Sequence, residues 1–126
     1  MNALILILTL IAMPAIANEA DCLSRIMFAE SKGESVEGAI AIGDAAKLRA
    51  IKTANPICKI KGVKKHVIPV PLRPHYKALA RSVLASKQST VGNADSWNVG
   101  NKPANPGKIT RHIENHVFYV MANLKR

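Results

Sequence analysis

The sequence predicts a mainly helical α+β fold in a single domain. Three observations lead there. A chain of 126 residues with 48% apolar content can bury one core. Three segments between Cys22 and Lys87 combine helical apolar spacing with capping residues. Beyond Ser89 the helical period gives way to Gly, Asn and Pro, with only short apolar runs left.

The first helix is expected from an Asp21 cap to about Lys32, with Gly33 ending it. Ser35 is the next N-cap, and Glu37 falls in the first turn of a helix over Val36 to Lys52. Its small residues, Gly38, Ala39, Ala41, Gly43, Ala45 and Ala46, allow a neighbouring helix to approach closely. Asn55-Pro56 stops it. "KIKGVKKHVIPVPLRP" reads as a basic loop with short extended pieces. A third helix follows in "PHYKALARSVLASK", with Pro74 in its first turn and Ala78, Leu79, Val83 and Leu84 as its apolar stripe. A short strand is expected around Ser96 to Val99. The closing "HVFYVM" fits a strand or a last helix, and periodicity does not choose between them.

Charge and the first residues set the setting. Eighteen Lys+Arg against eight Asp+Glu give +10, a surface that attracts polyanions. "MNALILILTLIAMPAIA" has no charged side chain and ends in an A-x-A pattern. It reads as a signal peptide over residues 1–17, cut after Ala17, leaving 18–126 as the working domain. The expected location is then secreted or periplasmic; the alternative is a signal anchor in the inner membrane. Export makes nucleic acid an unexpected partner and puts Cys22 and Cys58 in an oxidising compartment. There they form one disulfide or remain two buried thiols.

A few residues stand out chemically. Leu23, Ile26, Met27 and Glu30 fall at i, i+3, i+4 and i+7, so Glu30 shares the apolar stripe. A desolvated carboxylate there suits a general acid, or else it is a core glutamate satisfied by a partner. Glu34 either assists it or serves the start of the second helix. Trp97 is a sugar platform or a core plug. His112, Glu114 and His116 give "HIENH", which lacks the order of a zinc-binding HExxH; no metal or cofactor is expected.

Taken in order, these segments resemble the SleB-type cell-wall hydrolases. "CLSRIMFAESKGESVEGAIAIGDAAKLRA" is similar to that family's Glu-Ala-x-Gly-Glu run and following helix, with Glu30, Gly33, Glu34, Glu37 and Gly38 in the matching places. "ALARSVLASKQSTVGNADSW" is similar to its Ala-Leu-Ala helix and Gly-Gly-Ala turn, with Asn93 in place of the second glycine. "HIENHVFY" is similar to its closing Ile-Gly-x-His-x-Phe signature. The family's middle Gln-Phe-Ser stretch is replaced by the basic proline-rich loop. The resemblance implies a compact lysozyme-like fold acting on peptidoglycan glycan strands. It also implies Glu30 as general acid and Glu34 near the cleft. Ser31, Trp97, Asn98, His116 and Tyr119 would contact substrate.

Cleavage would fall between N-acetylmuramic acid and N-acetylglucosamine. A hydrolase needs a second carboxylate, for which Glu34, Asp44 and Asp95 are the candidates. A lytic transglycosylase needs one acid/base, and the scarcity of carboxylates favours it. The expected molecule is a monomer, with basic residues from Lys59 to Arg73 holding it near an anionic wall polymer or membrane. Two other classes stay open: a non-enzymatic wall- or membrane-binding protein, and a metal-dependent amidase or peptidase using His112, Glu114 and His116.

Overall fold

A computed structural model describes residues 18–125; the expected signal peptide lies outside the described residues. The first helix, α1, covers residues 18–30. It already runs through Asp21, so Asp21 is not its cap. Asp21 instead pairs with Arg25 one turn on at 3.2 Å, and its carbonyl accepts from the Ser24 hydroxyl. The helix α2, Val36–Thr53, begins where expected: Ser35 is extended at φ −72° and accepts from the Gly38 N–H. It ends on Ala54 in the left-handed region, two residues before Pro56.

Helix α2 is the axle. Its small side chains bury Ala39, Ala41, Ile42, Ala45 and Ala46 against Leu23, Ile26 and Met27 of α1. On its other flank it packs on α3, Arg73–Ala85. There the expected stripe needs correction. Ala80 and Val83 are buried, Leu79 and Leu84 are half-buried, and Ala78 is exposed. The proline-rich middle forms three short 3-10 turns, Ile57–Lys59, Val63–Lys65 and Val70–Leu72, with extended residues such as Ile60 and His66 between them. Cys58 in the first is disulfide-bonded to Cys22 of α1. In the chain-entropy picture a loop of this length stabilises by about 4 kcal/mol.

The C-terminal third is a three-stranded antiparallel sheet in the order β1-β3-β2: β1 Ser96–Val99, β2 Gly107–Ile113 and β3 His116–Met121. The closing apolar patch is therefore a central strand, not a helix. It forms a hairpin with β2 in which Ile113 pairs with His116 across a two-residue turn. Phe118 and Ile113 face the helices and join the core. No helix among the described residues is long and apolar enough to cross a membrane.

Two buried carboxylates tie the layers together. Asp44 of α2 accepts from the backbone N–H and the hydroxyl of Thr90. Asp95 accepts from Lys52 of α2 at 2.8 Å, from the Ser96 hydroxyl and from the Met121 N–H. Burial alone would push the Asp95 carboxyl upward. The hydrogen bonds from Lys52, Met121 and Ser96, with the Lys52 charge, outweigh it and hold the group below its ordinary value. Its contribution to stability is thus present above the unfolded value of about 4 and is lost as pH falls through the lower folded value. Asp95→Asn is expected to cost about 1–3 kcal/mol at neutral pH. It should also flatten the acid side of the stability curve, as read by denaturant unfolding at pH 3 to 7.

Candidate active site

The turn between α1 and α2 meets the tip of the β2–β3 hairpin, and the residues singled out around Glu30 and His116 gather there. The turn is folded by local bonds. Gly33 takes φ +78°, which glycine adopts at no steric cost, and the Glu34 N–H donates to the Ser31 carbonyl at 2.9 Å. The Glu34 side chain then turns inward. Its Oε1 lies 2.5 Å from Nδ1 of His116 on the central strand, with both side chains more than nine-tenths buried. The two groups are thus within ion-pairing distance of each other. By hydrogen-bond geometry, Oε2 of Glu34 and both ring nitrogens of His116 find no partner among the described residues.

Room for Glu34 comes from Gly38. A Cβ there would stand 2.6 Å from Glu34 Oε2. A second fastening lies at the rim. Glu114, in the hairpin turn with φ +51°, accepts from both the N–H and the hydroxyl of Ser35. The carboxylate thus caps α2 from another part of the chain, where negative charge is favoured. Alongside, Arg111 of β2 reaches Glu37 at 3.3 Å and donates to the Thr90 carbonyl.

Glu30 is where the structure corrects the sequence most. It is exposed, not desolvated. Its angular position is nevertheless as expected. At about 100° per residue it falls between Leu23 and Ile26, both buried. Glu30 is the last helical residue, and it is exposed although its neighbour Ser31 is buried. The end of α1 is therefore open to solvent at Glu30 and covered at Ser31.

The remaining carboxylates are largely committed. Of the eight, Asp21, Glu34, Glu37, Asp44, Asp95 and Glu114 are each held by an ion pair or hydrogen bond. Glu19 and Glu30 make neither among the described residues. Glu19 lies 11 residues earlier on the same helix, about 16 Å along its axis. Asp44 and Asp95, expected as alternatives for a second catalytic carboxylate, are spent on structural bonds. Glu34 alone is close in sequence and committed to a titratable partner.

The expected substrate-contacting residues fare differently. Ser31 is buried, with its hydroxyl donating to the Met27 carbonyl. His116 and Tyr119 are buried as well, which removes them from a groove wall. Asn98 spends its amide on the loop after β1, donating to the carbonyls of Val99 and Lys102 and accepting from the Ala104 N–H. Trp97 is half-buried, with the Arg49 guanidinium 5.0 Å from its ring centre; that face is taken by a cation rather than offered to a sugar. Sequence reasoning missed Glu114, Arg49 and Lys52 as organisers, because each acts on a partner more than 40 positions away.

A three-ligand metal site from His112, Glu114 and His116 is also corrected. Ile113 and His116 are cross-strand partners and share a face, so His112, next to Ile113, points to the opposite one. Among the described residues no group of three or more His, Cys, Asp or Glu is placed to hold a metal ion. Comparison with protein-family models, with curated proteins and with solved structures found no match.

Gly38→Ala tests the fastening. The added methyl is expected to push the Glu34 carboxylate off His116, since a side-chain end yields more easily than helix backbone. The gain in helix propensity, about 1 kcal/mol, offsets the lost contact, so stability should change little. The imidazole nitrogen signals of His116 should move in NMR spectra; unchanged signals would mean that Glu34 keeps its place.

Proposed function

We propose that this chain is a peptidoglycan-degrading glycosidase. It cleaves the β-1,4 bond between N-acetylmuramic acid and N-acetylglucosamine, and it does so as a lytic transglycosylase with a compact lysozyme-like fold. The observation that carries the reading is Glu30: a carboxylate with no ion pair or hydrogen bond among the described residues, exposed on the last turn of α1 at an angle between the buried Leu23 and Ile26. A catalytic acid has to touch its substrate, so exposure there serves it better than burial. The resemblance of the surrounding sequence to the SleB-type hydrolases supports the same choice.

Protonated Glu30 would donate its proton to the glycosidic oxygen as the bond to the muramic C1 breaks. The resulting carboxylate would take the proton of the muramic 6-hydroxyl as that oxygen bonds to C1. The products are a 1,6-anhydromuramic end and a free N-acetylglucosamine hydroxyl, and Glu30 returns to its starting state. One acid/base suffices. This agrees with the commitment of Asp44 and Asp95 elsewhere, whereas a hydrolase needs a second free carboxylate. Glu34 is assigned a positioning role through His116: it holds the turn on which Glu30 stands.

The non-enzymatic reading has one observation in its favour. The surface hollows beside Arg25 and Lys77, beside Ile51 and Leu84, and beside Lys47 and Ser89 are lined by other residues than Glu30 and Glu34. Digestion of purified peptidoglycan separates the two. The native chain is expected to release anhydro-muropeptides, identified by mass. Glu30→Gln should cut about 10²–10⁴-fold more slowly while still binding the wall. Reducing muramic ends would make the enzyme a hydrolase. Wall binding without cleavage by either protein would sink the enzymatic reading.

A further inference from the structure

From Cys58 to Ala94 the chain holds eight Lys and Arg and no Asp or Glu, so most of the net charge of +10 sits in one stretch. The turns between α2 and α3 present part of it outward. Lys59, Lys61, Lys65 and Arg73 are all exposed. Among these cations stand three large apolar side chains also turned to solvent: Val67 and Val70, each 68% exposed, and Leu72, 42% exposed. Val36, Ile51, Val99 and Ile109 are exposed as well, but they lie on separate elements.

We propose that residues 66–72 form a docking crest for an anionic phospholipid bilayer. The cations are drawn to the negative headgroups, and Val67, Val70 and Leu72 enter the boundary between headgroups and acyl chains. The apolar component chooses the partner. A soluble wall polymer would need only the charge and would leave three apolar side chains in water. A bilayer accepts both. The crest is also pre-shaped. Pro69 and Pro71 restrict it, Ile68 is buried beneath it, and Arg73 Nε donates to the Ile68 carbonyl at 2.9 Å. Docking therefore orders few new residues. Arg25, Arg73 and Lys77 flank a shallow hollow beside Val67, with the Arg25–Asp21 pair at its edge, so positive charge continues inward from the crest. The proposal is independent of the glycosidase reading, which rests on the opposite end of α1.

The test uses the full chain with vesicles of phosphatidylcholine alone or mixed with phosphatidylglycerol. Because residues 1–17 are themselves apolar, the probe is local. Val67→Trp places an indole on the crest, read against the native chain, whose Trp97 supplies the background. With anionic vesicles its emission is expected to shift to the blue and to be quenched by bromine-labelled lipid. Val67→Ser with Val70→Ser, both at exposed positions, should weaken co-sedimentation about tenfold in physiological salt. Three results would each overturn the proposal. One is an unshifted indole on a chain that still sediments with vesicles, meaning another part docks. Another is equal binding by the double variant, which points to a charge-only partner such as a wall polymer. The third is no binding by the native chain.

Discussion

The contact between Glu34 and His116 is the constraint on which the rest of the arrangement turns. It joins a five-residue turn to the middle strand of the sheet and so fixes where α1 stops, where α2 starts and how the hairpin lies across both. Burying an acid and an imidazole together is costly unless each compensates the other, and here one oxygen and both ring nitrogens lack a hydrogen-bond partner among the described residues. Among the described residues that cost falls at this junction, close in the chain to the residue proposed to do the chemistry. Gly38 makes it sterically feasible, and Glu114 closes the rim by capping α2 through Ser35.

Away from this junction the polar groups do ordinary structural work. Arg49 and Lys52, one turn apart on α2, hold the start of the sheet through the Asp95 carbonyl and carboxylate. Asp44 holds the Thr90 loop, and the disulfide fastens α1 to the turns that follow α2. This division leaves Glu30 uncommitted. It also separates two surfaces: the acidic junction near Glu30 and the basic, partly apolar crest at residues 66–72.

Much of the helical layer was legible. Ser35 announces α2 and Asn55-Pro56 its end, because caps and prolines act within a few residues. The short strand at Ser96–Val99 was readable from the same local logic. The hairpin was not. Its turn is Glu114-Asn115 with no glycine, and the left-handed Glu114 is compensated by a bond to Ser35, 79 positions away. Glu30 was placed on the correct face but is exposed there, since periodicity gives the angle around a helix and says nothing of which neighbours cover it. Ser31, Asn98, His116 and Tyr119 were expected to contact substrate. Their burial or loop-holding role depends on tertiary contacts that no local pattern carries.

The most direct test of the account is an NMR titration of Glu30→Gln, in which turnover is blocked, with a soluble disaccharide-repeat fragment of the glycan strand. The account predicts that amide shifts concentrate at residues 28–38 and 111–116, around the α1–α2 turn and the hairpin tip. Shifts confined to residues 59–73, with the junction unmoved, would contradict it. The glycan would then lie on the basic crest, and Glu30 would be an ordinary surface carboxylate.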